Sequence, residues 1–457
     1  MSQAAIAEPP TRKSHVRTIA SWGIGILSFG LLLAITSQLA MQFFAAPTPQ
    51  KIQLVQDIPL PGVFPAQFVP FAKTASQPPD PPDPLAPGVA IRFDHFDFQT
   101  IDPRTHLLFI AHTGPAPDKE QLVNPLFDAT KDKPQDGHVI VFDTLQNKVV
   151  GRVNIPQITG IKAIPELGVV YAAGSANNLM YVIDEHTLKT TSITLKKNES
   201  PDAVEYDPDD HKIFVSDPGV ASADNISPDN QNLAVIDVQT QKVSYINLGH
   251  LPKLVGESAN LVKFGYDVGH NKYDQVLHRI FVTTQQLTDQ AVSPLALPPS
   301  GTGELVEVDP VAQKVLRRVQ LPTVCNSPHG MSIDNQQGIA YIACVAVDPD
   351  HHIVPNLVRV DVKNMQVLPT NPLMILGIKP DMVIVDLVQN IVLVGCNTVV
   401  SVFNIQGGTI TKFKDYTLGK GTHTLTIDEN TQNIYLPLVE AGGRPVLRIA
   451  KYYPNGV

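Results

Sequence analysis

The chain has 457 residues, of which 43% are hydrophobic and 6% aromatic, and this composition excludes an intrinsically disordered protein. Its formal net charge is −9, and no basic stripe runs along it, which argues against nucleic acid as a partner. The length alone suggests about three domains of roughly 150 residues each, although one large repeat domain escapes that estimate.

The N-terminal region predicts a membrane anchor. Residues 18–50 carry no charged side chain, and 22–44 is mostly apolar, which is long enough to cross a hydrocarbon core of about 30 Å. We therefore expect a cytoplasmic tail at 1–17 and a single transmembrane helix at 18–46.

Charge around this stretch sets the predicted orientation. Arg12, Lys13 and Arg17 precede it, so the positive-inside rule keeps the N-terminus in the cytoplasm. The remainder then lies on the extracytoplasmic side of the cytoplasmic membrane. The alternative is a signal peptide cleaved near residues 45–46, which would export the same remainder without an anchor.

A proline-rich spacer is predicted at 47–90, where Pro-Pro pairs favour a semi-rigid linker. One piece of it, residues 52–60 (IQLVQDIPL), alternates like a strand instead. The region 91–457 then forms the main domain.

From residue 91 the sequence repeats one hairpin pattern. An apolar stretch ends in Asp, a polar turn follows, and seven residues after the Asp an aromatic residue or Leu opens a second apolar stretch. The copies at 161–174 and 261–284 are degenerate, and the second carries extra length at 268–278. The seven copies lie at 98–112, 161–174, 203–217, 261–284, 331–344, 383–396 and 425–438.

Each hairpin is followed by two more strands, and four strands repeating every 42 residues or more indicate a β-propeller. We therefore predict an all-β, seven-bladed β-propeller with an N-terminal transmembrane helix. The last copy stops after its third strand, at 445–453. The strand at 52–60 is predicted to complete that blade and close the ring, which removes open sheet edges.

In a propeller the first strand of each blade lines the central channel, so equivalent positions converge in space. One set of polar residues begins these strands, five residues before the turn Asp. Its members are Asp97, Asp202, Asn260, His329, Asp381 and His423, with Gly160 in blade two. A second set ends the second strands on the same face. Its members are His112, Asp217, Cys344 and Cys396.

Two interpretations of these sets remain open. Asp, Asn and His at strand starts also bond to neighbouring backbone amides and so hold blades together. Carboxylates and imidazoles converging on one channel mouth equally favour a ligand site, for which a divalent cation is the candidate cofactor.

Insertions gather on the same face. Only 268–278 is expected on the opposite face, and long loops on one face of a repeat protein usually mark where it binds. These second-to-third and fourth-to-first strand loops lie at 115–136, 218–231, 249–259, 286–302 and 346–355.

Cys325 and Cys344 flank one predicted hairpin, which brings the two sulfurs within bonding reach. An oxidising compartment favours a disulfide between them, leaving Cys396 free. The alternative is a metal site made by these three cysteines with His329, although no CxxC or HxxxH spacing supports it.

The repeats AVEYDPDDHKIFVSD (203–217) and LAVIDVQTQKV (233–243), and the Cys…Pro-His-Gly…Cys pattern of 325–344, resemble bacterial YVTN-type (YncE-like) β-propeller proteins. The resemblance covers about residues 91–453. It implies a propeller that is exported or anchored, and it implies no particular reaction.

Function remains divided among three hypotheses, because propellers host both binding and catalysis. The leading hypothesis is a binding module that presents its loop-rich face to a protein, a glycan or a small ligand. The second is a metal-dependent, lactonase-like hydrolase with its site at the channel mouth. The third is a scaffold with no ligand in the channel.

Overall fold

The structure is a computed structural model, in which Ile52–Tyr452 forms one compact unit. The predicted anchor at 18–46 lies outside the residues that the structure describes. Within the described part of the chain, no helix combines the length and apolar character that a membrane span requires. The described residues are 51–60, 95–114, 137–196, 200–217, 232–248, 266–286, 303–325, 327–345, 354–406, 408–442 and 444–454.

The described chain builds seven antiparallel sheets, which are the seven predicted blades. Blades one to four run in sequence order from the innermost strand outwards. Their strands are β2 (Phe96–Asp102), β3 (Leu107–His112), β4 (His138–Asp143), β5 (Lys148–Asn154), β6 (Ile158–Ile164), β7 (Val169–Gly174), β8 (Leu179–Asp184), β9 (Thr190–Thr194), β10 (Val204–Asp207), β11 (Lys212–Asp217), β12 (Asn232–Asp237), β13 (Val243–Asn247), β14 (Tyr266–Asp274), β15 (Arg279–Gln286), β16 (Gly303–Asp309) and β17 (Lys314–Gln320).

Blades five to seven follow the same plan with two variations. Blade five has an extra short strand that pairs with its third strand, and blade seven takes its fourth strand from the N-terminal side. Their strands are β18 (Pro328–Asp334), β19 (Ile339–Cys344), β20 (Asn356–Asp361), β21 (Gln366–Val367), β22 (Met374–Ile375), β23 (Val383–Asp386), β24 (Ile391–Gly395), β25 (Val399–Gln406), β26 (Thr409–Thr417), β27 (Thr426–Asp428), β28 (Asn433–Ala441), β29 (Arg444–Tyr453) and β1 (Lys51–Pro59).

The innermost strands close a ring. Each contacts the innermost strand of the next blade, in the order β2, β6, β10, β14, β18, β23 and β27, and β27 contacts β2 again. The seven-bladed propeller predicted from the repeats is therefore confirmed, and its first strands share one channel.

The repeated Asp forms the turn between first and second strands. In blade one the carboxylate of Asp102 accepts a hydrogen bond from the backbone N–H of Arg104 at 2.7 Å, and His106 ends the turn at φ 57°. Such Asx turns satisfy backbone donors locally. Blade two lacks the Asp and uses a 3₁₀ helix, Pro165–Leu167, which Gly168 ends at φ 64°.

The aromatic residue or Leu of the repeat packs between blades. Side chains from adjacent sheets form the hydrophobic clusters that join the blades, and burial of each large side chain stabilises the fold by about 1.5–3 kcal/mol. At most 2% of each of these repeat residues is exposed. They are Phe109, Tyr171, Phe214, Phe281, Tyr341, Leu393 and Tyr435.

Blade four corrects the sequence prediction. The stretch 268–278 is not an inserted loop, because β14 runs through Asp274 and the backbone N–H groups of Val276 and Leu277 donate to that carboxylate. Asp274 lies seven residues before Phe281, so this copy keeps the repeat spacing. The register predicted for blade four was wrong because the turn was sought too early in the chain.

The closing strand β1 is held by an ion pair as well as by its ladder. Arg448 on β29 donates to both carboxylate oxygens of Asp57, at 2.8 and 2.6 Å, and also to the carbonyl of Leu418 in blade six. The bidentate geometry is the stronger form of a guanidinium–carboxylate contact. One arginine thus joins the N-terminal strand, the C-terminal strand and the neighbouring blade.

Replacing Asp57 by Ala should lower the free energy of unfolding by about 1–3 kcal/mol, because it removes both charge-assisted bonds from a half-buried guanidinium. Chemical denaturation of the protein measures the change. Gln56→Ala, on the exposed face of the same strand, is the control and should change stability by under about 0.5 kcal/mol. Equal effects for the two variants would contradict this role of Asp57.

A disulfide joins Cys325 to Cys344 in blade five, the pairing that the hairpin geometry favours. It excludes the alternative metal site, because both sulfurs are bonded to each other. Cys396 is free and buried, and burial raises the pKa of its thiol to about 11.

Alkylation with iodoacetamide should therefore modify no cysteine in the native protein. Unfolding without a reductant should expose one thiol, at Cys396, and unfolding with a reductant should expose three. Mass spectrometry of the digested protein reads the sites. Modification of Cys325 or Cys344 without a reductant would contradict the disulfide.

Candidate functional site

Local irregularity of the first strands aims the predicted residues at the channel mouth. In four blades the pairing of the first and second strands shifts register where the first strand begins, for instance between Phe96 and Gln99 and between Pro328 and Met331. A β-bulge of this kind re-aims a side chain out of the sheet. Asp97 and His329 lie within these two bulges.

Five predicted residues meet around one cavity of about 710 Å³ at this end of the channel. The cavity is also lined by Lys379 and Lys420, which the sequence analysis did not single out. The five are Asp97, Asp202, His329, Asp381 and His423.

Close backbone approach between blades brings these residues together. A β-carbon on Gly330 would lie 1.5 Å from the carbonyl oxygen of Asp381, and one on Gly160 would lie 1.8 Å from that of Asp202. Only glycine permits such contact. The Pro-His-Gly motif therefore holds His329 beside Asp381 by removing the side chain that would separate their strands.

Asp381 lies at the centre of the site. Its Oδ1 is 3.2 Å from Nε2 of His270 and 3.4 Å from Nε2 of His329, and its Oδ2 is 2.9 Å from Nδ1 of His423. These side chains come from blades four, five, six and seven. Three imidazole rings thus surround one carboxylate.

His423 bridges two acceptors. Nδ1–H donates to Oδ2 of Asp381 and Nε2–H donates to the backbone carbonyl of Phe96 in blade one. The carbonyl only accepts, and Asp381 only accepts while it is ionised, as its lowered pKa makes it. Both ring nitrogens then carry a proton, and the side chain is an imidazolium. His95 stacks on this ring with the centroids 4.5 Å apart.

Burial and charge separate the ionisation of these groups. Burial opposes the charge of Asp381, but the imidazoles of His270, His423 and His329 outweigh it and hold the pKa of Asp381 well below its usual value. Burial lowers the pKa of His423, but the carboxylate of Asp381 raises it by more, with smaller contributions from Asp97 and the Phe96 carbonyl. The pKa of His423 is therefore raised overall. An anionic Asp381 and a cationic His423 therefore share the site.

Two further groups are shifted towards their neutral forms. Burial, and next the charge of Asp381, raise the pKa of Asp97 to about 7, although His423 opposes this. Burial lowers the pKa of His270 to about 4, against the attraction of Asp381. His270 is therefore a neutral imidazole near pH 7.

The second predicted ring does not line the cavity. His112 and Asp217 are fully buried, Cys344 is in the disulfide, and Cys396 is buried within blade six. His112 instead lies against His138 on the next strand, with Nδ1 atoms 3.2 Å apart.

The physical reason for this error is strand alternation, because neighbouring residues of a strand point to opposite sides. The positions one residue later, Val345 and Asn397, line the cavity. In blades five and six the expected face was therefore right and the register was wrong by one residue.

Blade four contributes a residue that the sequence analysis missed. Asn260 lies outside the described residues, so its place in the ring stays a prediction, but the turn residue of this blade is Asp274. The ring position, five residues earlier, is Gly269, and His270 beside it reaches Asp381. In blade two the matching position is Thr159 instead of Gly160, since Ile158 pairs as Phe96 does. The spacing of Asp274 to Phe281 was the signal that could have located His270.

The other end of the channel holds a separate cavity of about 470 Å³. There Glu205 pairs with Lys162 at 2.5 Å and with Lys272 at 3.2 Å. Burial opposes the charge of Glu205, but the two lysines lower its pKa to about 2. The carboxylate pairs with both lysines, so we interpret this end of the channel as a structural ion-pair network.

Comparison with known proteins supports the fold. No family model and no curated protein sequence matches the chain. Among solved structures, Kuenenia stuttgartiensis Hydrazine Synthase matches with a TM-score of 0.54 and 12% sequence identity, over 79% of this chain and 98% of that one. At this identity the likeness extends to the propeller fold alone.

The raised pKa of Asp97 predicts that this residue destabilises the folded protein more as the pH rises. The unfolded chain loses this proton near pH 3.8 and the folded chain near 7, so stability falls as pH rises between these values. Asp97→Asn removes the ionisable group. The free energy of unfolding of this variant, relative to that of the wild type, should therefore increase by about 1–3 kcal/mol from pH 5 to pH 8. Denaturation at both pH values measures it.

Glu429→Gln, at an exposed turn on the opposite end, removes one negative charge and is the matched control. Its stability relative to the wild type should change little between the two pH values. A benefit of Asp97→Asn that shrinks as pH rises would contradict the assignment.

Proposed function

We propose that the chain is a membrane-anchored, extracytoplasmic β-propeller that acts as a binding module and takes a small polar ligand at the channel mouth. The observation that carries this proposal is the cavity of about 710 Å³ on which Asp97, Asp202, His329, Asp381 and His423 converge. Ligand sites in proteins are concave, of about 300–1,000 Å³, and carry a few convergent polar groups.

The cavity offers charges of both signs. The carboxylates of Asp202 and Asp381 line it, and Lys379 and Lys420 come from the segments that precede the first strands of blades six and seven. A ligand with both hydrogen-bond donors and acceptors suits such a lining better than an apolar one. This favours a small polar molecule over an extended protein surface.

Strand direction supports the same face. Each second strand ends opposite the start of its first strand, as Phe96 opposite His112 shows in blade one. The predicted loops at 115–136, 218–231 and 346–355 leave the second strands at this end, so their connections start around the mouth. Residues 115–136, 218–231 and 346–353 of these loops lie outside the described residues.

Sequence supports the placement at the membrane. The uncharged stretch at 18–50 follows three basic residues, which favours an anchor with the propeller outside the cytoplasm. The disulfide of blade five fits an oxidising compartment.

A metal-dependent, lactonase-like hydrolase at the same site is the second candidate. It is favoured by two neighbouring carboxyl groups with separated pKa values, since that of Asp97 is raised to about 7 and that of Asp381 is held low. Such pairs supply a proton donor beside a fixed anion. The binding module remains the proposal because it requires no reaction.

Thermal shift measurements on the full-length protein in detergent test the binding proposal, using a panel of sugars, amino acids, organic acids and nucleotides. At least one class should raise the melting temperature of the wild type by several degrees, because binding to the folded state alone stabilises it. Asp202→Ala and Lys379→Ala should lose that shift.

Ser332→Ala, in the cavity at the other end of the channel, is the control and should keep the shift. Compounds that stabilise all variants equally would bind elsewhere and contradict the proposed site. In a separate assay with a lactone substrate, hydrolysis that Asp97→Asn abolishes would favour the hydrolase instead.

A further inference from the structure

We propose that His270, His329 and Asp381 form a binding site for a divalent first-row transition metal at the base of the mouth cavity. The inference deepens the proposed function, because it rests on the same cavity and names a cation that it would hold.

The ligand atoms are spaced as a metal requires. Nε2 of His270 and Nε2 of His329 lie 3.2 and 3.4 Å from Oδ1 of Asp381, and the ligand atoms of all three residues lie within 4.8 Å of one another. Zinc–ligand bonds of about 2.0–2.1 Å in a tetrahedral site place ligand atoms about 3.3 Å apart. The two distances from Oδ1 of Asp381 to the histidine nitrogens match this separation between ligand atoms.

Unpartnered buried atoms provide the second observation. His270 is fully buried, and neither of its ring nitrogens has a hydrogen-bond partner among the described residues. The same holds for Oδ1 of Asp381, which the nitrogen of His270 faces without the alignment of a hydrogen bond. Buried polar atoms that are left unpaired destabilise the folded protein. A cation between them would satisfy one nitrogen and the oxygen together.

The donor set selects the class of metal. Two imidazole nitrogens and one carboxylate oxygen suit Fe²⁺, Co²⁺ or Zn²⁺, whereas Ca²⁺ and Mg²⁺ prefer oxygen ligands throughout. Three protein ligands leave at least one coordination position open. His329 and Asp381 line the cavity, so the open position would face a ligand there.

The surroundings of the site fix these ligands in place. His423 holds Oδ2 of Asp381 at 2.9 Å, which leaves Oδ1 towards the two histidines. The ring of Phe98 packs against His270 with the centroids 4.7 Å apart. Hydrogen bonds to a ligating carboxylate of this kind orient it and tune its affinity. His423 is thus a positioning residue.

Titration of the chelator-treated, full-length protein with Co²⁺ tests the site, since bound Co²⁺ absorbs visible light in a way that reports its ligands. The wild type should bind one equivalent, and Zn²⁺ should displace it. His329→Ala and Asp381→Asn should weaken binding at least 100-fold or abolish the absorption bands. His423→Gln should keep the bands and weaken binding about 10–100-fold.

His186→Ala, at an exposed turn, is the control and should bind like the wild type. Circular dichroism of each variant establishes that it is folded. Absence of binding by the folded wild type, or bands that persist unchanged in both His329→Ala and Asp381→Asn, would overturn the proposal. If Co²⁺ does not bind but a panel compound still binds at the mouth, the metal site is wrong and the proposed function stands. If Co²⁺ binds but no panel compound does, the metal site stands and the proposed function is wrong.

Discussion

The contact of one carboxylate with three imidazoles organises the channel mouth. Asp381 reaches His270, His329 and His423 within 2.9–3.4 Å, and these four residues come from four different blades. Their convergence requires first strands to approach backbone to backbone, which Gly330 permits at the carbonyl of Asp381. The closed ring supplies that geometry, so the site depends on the whole propeller and on no single blade.

The four blades contribute side chains of different charge to the site. Blade six supplies a fixed anion, blade seven a cation that spans to blade one through the carbonyl of Phe96, and blade four a buried neutral imidazole. In a site of low dielectric such charges are expensive unless paired. The pairing of Asp381 with His423 uses one carboxylate oxygen and leaves the other for a ligand or an ion.

Much of the fold was predictable because each blade repeats one local rule. An Asp turn followed seven residues later by a buried aromatic residue or Leu marks the hairpins, and the missing fourth strand of blade seven pointed to residues 52–60. The site was harder, because it depends on single-residue register. His270 was missed when the turn of blade four was placed before Asp274, and Cys396 was assigned to the cavity although strand alternation turns it inwards. Neither the bulges nor the inter-blade approach at Gly330 leaves a plain trace in the sequence.

The central claim is that the mouth is built around Oδ1 of Asp381. An anomalous difference map from crystals of the Co²⁺-loaded protein, recorded at the cobalt edge, tests it most directly. The account predicts one strong peak at about 2.0–2.2 Å from Nε2 of His270, Nε2 of His329 and Oδ1 of Asp381. A map with no peak there, or with its strongest peak at other histidines, would contradict it.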